Sequence, residues 1–225
     1  MPERALAPWT PNAVREAIRL IAITDDLRDG VDGLVARAAA AERGGATMVQ
    51  VRFKALTSRE LLRITRALVG ALQIPVVVND RLDIALAADA AGVHVGITDL
   101  PVRIARALAP ESFLIGASLT QAGELIECDD ADYVGVGPLF GTPSKPDAAP
   151  PTGVQGGVAL ARAAARPAVA IGGVDETNAQ DVVQAGFDGV SVIRAVLSQP
   201  DPEAAARTLR AAVDRGVRAH VGAET

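Results

Sequence analysis

Short runs of β-branched and other apolar residues recur along the chain, and alanine-rich stretches lie between most of them. These runs predict strands at residues 20–24, 48–52, 75–79, 92–96, 113–118, 132–137, 167–173 and 188–193. The intervening stretches predict helices, most clearly at residues 33–44, 58–72, 83–90 and 178–186. Strands that are apolar almost throughout are typical of a parallel sheet covered by helices on its outer face.

Eight strand–helix units in this length predict an α/β fold of the (β/α)₈ (TIM) barrel type, in one domain. A doubly wound open sheet is the alternative. No GxGxxG sequence follows the first strand, so its commonest nucleotide-binding form is absent. Gly44, Gly92 and Gly186 stand just before strands, where a left-handed glycine commonly ends a helix.

Composition narrows the classes of function. The 225 residues are 49% hydrophobic and 22% charged, with a net charge of −5 and no basic block, which argues against a nucleic-acid or anionic-membrane surface. There is no apolar run of membrane-spanning length, and the first 17 residues carry charge and three prolines instead of a signal peptide's apolar stretch. Cys128 is the only cysteine, so neither an intrachain disulfide nor a cysteine metal site is expected.

From these features we expect a reduced, cytoplasmic protein. We divide the chain into an N-terminal extension (1–17), the barrel (18–217) and a C-terminal tail (218–225). The sequence leaves open whether it forms a homo-oligomer.

Active sites of such barrels lie at the carboxyl ends of the strands. The stretch VQVRFK (49–54) ends the second strand, and alternation places Gln50, Arg52 and Lys54 on one side of it. Of the 22 Lys and Arg residues, only Lys54 and Lys145 are lysines. This favours the interpretation that these two positions require a compact ammonium group. The alternative for Arg52 is a structural ion pair with a neighbouring aspartate.

Asp80 and Asp99 follow adjacent predicted strands. Two carboxylates with a neutral oxygen donor nearby suit Mg²⁺, which typically bridges to substrate phosphates. The alternative for each is that it caps the helix that follows.

The longest connection, 138–157, is rich in Gly and Pro, has no helical period, and carries Thr142, Ser144 and Lys145, so we expect a functional lid. The glycine-bearing ends of the last two strands predict a phosphate site, although glycines also serve in tight turns. His94 is expected to be a hydrogen-bonded core residue outside catalysis, and His220 to lie in solvent.

Taken together, the motifs resemble those of the thiamine phosphate synthase family, to which the thiazole tautomerases are closely related. The resemblance covers about residues 19 to 213 and rests on VQVRFK, VVNDRLDIALAADAAGVHVG, TDLP, IGAS, ADYVGVGPLFGTPSKPDAAPPTG and AIGGV.

The resemblance implies a (β/α)₈ transferase that binds Mg²⁺ and two small molecules, a phosphorylated pyrimidine and a phosphorylated thiazole. A hydroxymethylpyrimidine diphosphate would lose pyrophosphate through a pyrimidine methyl cation, and the thiazole nitrogen would take its place. The implied pyrimidine diphosphate site comprises Gln50, Val51, Arg52, Phe53, Lys54 and Asn79, and the implied metal ligands are Asp80 and Asp99. The implied contacts to the leaving diphosphate are Ser118 and Lys145, and those to the thiazole phosphate are Thr142, Pro143, Ser144, Gly173, Ile193 and Arg194.

In this reading Arg52, Lys54, Ser118 and Lys145 are catalytic. Fixed cations aimed at the departing diphosphate stabilise the transition state more than the ground state. No side-chain nucleophile or general base is then required.

The sequence departs from the family pattern at four positions: Ile97 replaces a frequent Gln, Ile21 a Tyr, Thr120 a His, and Arg194 a Ser. Three other functions remain open: a thiazole tautomerase, a non-catalytic barrel that binds a phosphorylated ligand, and a sugar-phosphate epimerase. The set of cations and carboxylates argues against the first two. An epimerase would need an acid–base pair facing one carbon, and no such pair is evident.

Overall fold

Eight parallel strands close into a barrel in the computed structural model, which describes residues 8–24, 26–141 and 150–223. Neighbours in the barrel are neighbours in sequence, and β1 pairs with both β2 and β8. The strands are β1 (Leu20–Ile23), β2 (Met48–Val51), β3 (Val76–Asn79), β4 (Gly92–Val95), β5 (Leu114–Leu119), β6 (Tyr133–Val136), β7 (Ala168–Ile171) and β8 (Gly189–Val192). The predicted (β/α)₈ fold is confirmed, and the doubly wound open sheet is excluded.

Helices surround the strands and cover their outer face. They are α1 (Pro11–Ala17), α2 (Gly30–Gly44), α3 (Ser58–Ala71), α4 (Leu82–Ala87), α5 (Val102–Leu108), α6 (Gly153–Ala164), α7 (Ala179–Gln184) and α8 (Pro202–Ala223), with a 3₁₀ helix η1 (Ala122–Cys128) after β5. In the described part of the chain, no helix has the length and apolar character needed to cross a membrane.

The end of α2 differs from the prediction. Gly45, with φ 108°, is the left-handed residue, and Gly44 is the last residue of the helix. Gly44 serves close packing, since a Cβ there would lie 2.3 Å from the backbone oxygen of Glu203 in α8.

Gly92 was also misassigned as a helix stop. It opens β4, where a Cβ would lie 2.1 Å from the backbone oxygen of Leu114 in β5. The left-handed residue before this strand is Asp89, with φ 53°. Gly186, with φ 128°, follows α7 in the predicted role.

The inside of the barrel changes from apolar to polar along its axis. Buried apolar side chains fill the amino-terminal half of the interior and include Ile21, Met48, Val77, Leu114 and Val169. Polar side chains occupy the next inward positions towards the carboxyl ends and include Gln50, Asn79, His94, Ser118 and Ser191. Because inward positions recur every second residue, one strand contributes to both regions.

Helix α1 closes the amino-terminal end of the barrel, although it lies inside the predicted extension. Thr10 caps it, its Oγ1 accepting a hydrogen bond from the Ala13 amide at 3.2 Å. Val14 and Ala17 are buried in the interior cluster, and Trp9 packs against the same cluster. The helix is therefore part of the barrel's packing.

Helix α8 continues to Ala223, through the region predicted as a tail. The ring of His220 is partly covered, and its Nδ1 lies 3.0 Å from the backbone oxygen of Gln184. The ring is therefore partly exposed to solvent, as expected, but it also contacts α7.

The connection after β6 is shorter than predicted. Helix α6 begins at Gly153, whose amide bonds the Leu139 oxygen at 3.1 Å. Within the predicted lid, residues 142–149 lie outside the described residues, and these include Thr142, Pro143, Ser144 and Lys145.

Candidate active site

A cavity of about 720 Å³ opens at the carboxyl ends of the strands. Seven of the residues predicted for the site line it: Gln50, Arg52, Asn79, Ser118, Gly173, Ile193 and Arg194. Val51 and Phe53 instead contribute side chains to the apolar layer between strands and helices. Lys54, Asp80 and Asp99 follow β2, β3 and β4 at the same end of the barrel, but they are not among the residues that line the cavity.

Arg52 is held through its main chain. The buried Thr24 hydroxyl accepts a hydrogen bond from the Arg52 amide at 2.8 Å and donates to the Arg52 oxygen at 3.3 Å. Arg52 is half-buried, lines the cavity, and makes no ion pair within the described ranges. The alternative of a structural ion pair with a neighbouring aspartate therefore finds no support among these residues.

Asp80 has an unusual backbone conformation. Its φ is 65°, a left-handed value that is uncommon outside glycine, and its amide donates to the His94 oxygen at 2.8 Å. Its Oδ2 lies 2.5 Å from Nζ of Lys54. The N-cap of α4 is Arg81, so Asp80 does not cap that helix.

Asp99 contacts Asp80. Its Oδ2 accepts a hydrogen bond from the Gly96 amide at 2.9 Å, and the N-cap of α5 is Pro101. Burial, followed by the hydrogen bond with the Asp80 carboxyl, raises the pKa of Asp99. The two carboxyl groups are thus close neighbours.

This pair fits a hard divalent cation. A bound cation would relieve the repulsion between the two carboxylates. No group of three or more His, Cys, Asp or Glu side chains suited to a metal occurs in the described ranges. Oxygen atoms of a substrate or of water would have to complete the coordination of any metal bound by this pair.

His94 is buried at the cavity floor and bonds two hydroxyl groups. Its Nδ1 lies 3.2 Å from the Tyr133 hydroxyl, and its Nε2 lies 3.1 Å from Oγ of Ser118. Burial lowers the pKa of His94 to about 4 and raises the pKa of Tyr133, so both are neutral at physiological pH. The expected hydrogen bonding of His94 is confirmed.

The contact with Ser118 was not anticipated. Alternation along β4 and β5 is the signal that could have placed both side chains inside the barrel. Thr120 and Ser191 also line the cavity without having been predicted as site residues.

The other side of the cavity is formed by the ends of β7 and β8. Gly172 and Gly173 have φ of 92° and 67°. A Cβ on Gly173 would lie 2.6 Å from Cβ of Phe140, so the glycine also permits close approach of the β6 connection. Opposite them, Arg194 is exposed at the cavity and forms no ion pair within the described ranges.

A closed parallel barrel with a polar cavity at its carboxyl ends, bordered by cations and a carboxylate pair, defines a (β/α)₈-barrel enzyme for an anionic small molecule. A family model described as "Thiamine monophosphate synthase" matches residues 20–196. The chain belongs to this family and is a transferase.

Similar proteins agree with this assignment. A thiamine-phosphate synthase of Chloroflexus aurantiacus is 47% identical over 76% of this chain and 81% of its own. One of Moorella thermoacetica is 48% identical over 76% and 84%. The structure of a thiamine phosphate pyrophosphorylase from Pyrococcus furiosus is 34% identical, with a TM-score of 0.80 over 91% of this chain and 99% of that one. A 3-hexulose-6-phosphate synthase, at 20% identity and a TM-score of 0.66, shares the fold.

Proposed function

We propose that the protein condenses 4-amino-2-methyl-5-(diphosphooxymethyl)pyrimidine with 4-methyl-5-(2-phosphoethyl)thiazole, giving thiamine phosphate and pyrophosphate. Family membership supports this reaction. The observation that carries it is the contact between Asp80 and Asp99 beside Lys54, next to a cavity that Arg52 lines. A diphosphate and its cation would satisfy both sets of charges.

In the proposed reaction, the bond between the pyrimidine methylene carbon and the diphosphate oxygen breaks first. Arg52, Lys54 and Ser118 donate hydrogen bonds to the departing diphosphate, on which negative charge accumulates. Mg²⁺ bound by Asp80 and Asp99 would supply further charge neutralisation. Lys145, outside the described residues, is proposed as an additional cation.

The ring systems need neutral contacts. The amides of Gln50 and Asn79 lie on the cavity wall, and we assign them to the pyrimidine. The segment from Gln50 to Lys54 contributes Val51 and Phe53 as packing residues that hold the strand end in place.

The thiazole phosphate is assigned to the side of the cavity formed by β7 and β8. Gly173 and Ile193 would contact it with their main chains, and the Arg194 side chain would contribute charge. Thr142, Pro143 and Ser144 complete this proposed site from outside the described residues. The thiazole nitrogen then attacks the methylene carbon.

We further propose that the protein acts in the cytoplasm on these two small molecules. The buried free thiol of Cys128 is consistent with a reducing compartment.

Thiazole tautomerase activity is the alternative within the family. The departure at Thr120 bears on it, because the resemblance assigns proton transfer to a histidine at that position. Thr120 lines the cavity, but a hydroxyl is a poor proton shuttle near neutral pH. Coupling is therefore favoured over isomerisation.

The test uses two assays on one preparation. Thiamine phosphate and pyrophosphate are measured with both substrates and Mg²⁺, and isomerisation is measured with the thiazole phosphate alone. We expect equimolar products in the first and no more than slow conversion in the second. Efficient isomerisation without coupling would assign the tautomerase reaction, and binding without either reaction would indicate a non-catalytic barrel.

The carboxylate pair is tested with Asp80→Asn and Asp99→Asn. Asparagine tolerates the left-handed backbone at position 80, so the fold is kept. We expect turnover to fall by about 100-fold, as when one electrostatic contact to a transition state is lost, with little change in thermal stability. Asp130→Asn, an exposed carboxylate before β6 at the opposite end of the barrel, is the matched control. Full activity of the wild-type protein in excess chelator would contradict the metal role.

A further inference from the structure

Three polar side chains form a hydrogen-bonded row across the inside of the barrel. Tyr133 on β6 bonds Nδ1 of His94 on β4 at 3.2 Å, and Nε2 of His94 bonds Oγ of Ser118 on β5 at 3.1 Å. Tyr133 is fully buried, whereas His94 and Ser118 line the cavity. The row therefore runs from the buried interior of the barrel to the cavity.

The direction of the hydrogen bonds follows from the burial of Tyr133. A neutral imidazole has one donor and one acceptor nitrogen. If Nδ1 carried the proton, the Tyr133 hydroxyl would accept from it. The phenol hydrogen would then lack an acceptor among the described residues, which costs its desolvation free energy.

Tyr133 O–H therefore donates to Nδ1 of His94. The ring proton lies on Nε2 and is donated to Oγ of Ser118. With its oxygen acting as the acceptor, Ser118 keeps its own O–H free.

We propose that Tyr133 and His94 are positioning residues that fix Ser118 as a hydrogen-bond donor to the diphosphate in the cavity. A diphosphate offers only acceptors, so a serine whose proton was used on His94 could not donate to it. In the other tautomer, with the proton on Nδ1, Ser118 would donate its proton to Nε2 of His94 and would present only its oxygen to the diphosphate. This role rests on the proposed function for the identity of the anion.

Two glycines make room for the row. A Cβ on Gly116 would lie 2.2 Å from Cζ of Tyr133, and one on Gly135 would lie 3.0 Å from Cε1 of His94. Neither glycine has a left-handed φ, so the backbone does not require them. Their missing side chains are what the two rings need in order to cross the barrel.

The tautomer can be measured without any assay of activity. The chain has two histidines, so ¹⁵N-histidine labelling gives two imidazole spin systems, and His220→Gln assigns them. We expect His94 to be protonated on Nε2 in the wild-type protein, with a measurable Nδ1-protonated population in Tyr133→Phe. Protonation on Nδ1 in the wild type, or an unchanged tautomer in Tyr133→Phe, would overturn the proposal.

The kinetic test is a double-mutant cycle. Tyr133→Phe keeps the ring and its packing, and we expect about a tenfold lower kcat, equivalent to one weakened contact, with an unchanged KM for the thiazole phosphate. In a Ser118→Ala background, Tyr133→Phe should have no further effect. Additive losses would show that Tyr133 does not act through Ser118.

The two readouts separate the hypotheses. If the wild-type protein made no thiamine phosphate, the proposed function would fail, yet the tautomer of His94 would still be read from the spectrum. If coupling occurred but the tautomer were Nδ1-protonated, the positioning role alone would fail. His220→Gln should match the wild type in kcat.

Discussion

Three cationic side chains at the cavity are held in different ways. Lys54 is paired with Asp80 at 2.5 Å, and Arg52 is fixed through its main chain by Thr24. The backbone oxygen of Arg194 accepts from Nε2 of Gln199 at 2.9 Å, and its side chain forms no ion pair in the described ranges. To bind the substrate, Lys54 would have to break its ion pair with Asp80. The Arg194 side chain has no such ion pair to break before it binds an incoming anion.

Arg194 stands where the expected family pattern has a serine. The variant Arg194→Ser tests whether the arginine contributes to binding the thiazole phosphate. A hydrogen bond to a charged group contributes about 1.5–3 kcal/mol, so KM for that substrate should rise by at least about tenfold. We expect kcat to change little, because the phosphate is remote from the reacting nitrogen. Steady-state kinetics against each substrate would show this, with the exposed Arg103→Ser on α5 as control. An equal rise in both KM values would contradict a role confined to the thiazole phosphate.

Individual residues were predictable where alternation decides their direction. Gln50 and Arg52 were placed correctly in the cavity by the period of β2. The Tyr133–His94–Ser118 row was not predictable, because it depends on three strands meeting at one level of the barrel. Neither propensity nor spacing along one strand contains that information.

Among the elements, α1 has the clearest structural task. It places Val14, 2% exposed, against the apolar amino-terminal half of the interior. Arg15 fixes the helix from outside through Asp188, at 3.1 Å. The helix therefore covers the end of the barrel opposite the cavity.

Val14→Ala should destabilise the protein while leaving catalysis intact. Removing buried methyl groups from a core typically costs about 1–2 kcal/mol, which in a protein of this size lowers Tm by several degrees, about 2–4 °C per kcal/mol. Thermal unfolding followed by circular dichroism measures the shift. Val221→Ala, at a valine on α8 that is 58% exposed, is the matched control and should leave Tm unchanged. Equal shifts in the two variants would show that α1 is not part of the core.

The 3₁₀ helix η1 ends at Cys128, which is 2% exposed. Burial, and then the carboxylates of Glu124 and Asp129, raise the pKa of this thiol to about 11. Alkylation by iodoacetamide at pH 8 should therefore be at least about 100-fold slower than for an unperturbed thiol, because the thiolate is the reactive form. The rate should rise sharply in denaturant, and fast alkylation of the native protein would instead reveal local opening of η1.

Strand positions were predicted nearly to the residue because each buried strand is a continuous apolar run. Helix ends were predicted less well. Gly44 and Gly92 were interpreted as helix stops, but the structure uses both for close packing against a distant element. A glycine that serves packing and a glycine that serves a left-handed turn look the same in the sequence.

At the scale of the whole molecule, apolar packing and chemistry occupy opposite ends of one barrel. His94 lies at their boundary, and its folded-state pKa of about 4 is below its ordinary value of 6.5. The unfolded chain therefore binds the proton more readily. The stability that comes from burying the neutral His94 ring is therefore complete above pH 6.5 and is lost as the pH falls towards 4.

The free energy of unfolding, measured in urea, should fall by roughly 3 kcal/mol from pH 7 to pH 4 because of His94 alone. His94→Gln should show a shallower dependence over this range. His220→Gln, on the outer helix α8, should retain the wild-type slope. Identical pH dependence in the wild type and His94→Gln would remove His94 as the cause.

The pairing of β1 with β8 also has a consequence during synthesis. Leu20 in β1 cannot pair with Val190 until β8 has been synthesised. Helix α8, which packs against both α2 and α7, is synthesised after β8. Until then the growing chain presents the unpaired edge of β1 to its surroundings, where another strand can add to it. A chain that ends before β8 cannot close the barrel, so we expect the nascent protein to be open to misassembly until its last strand has emerged.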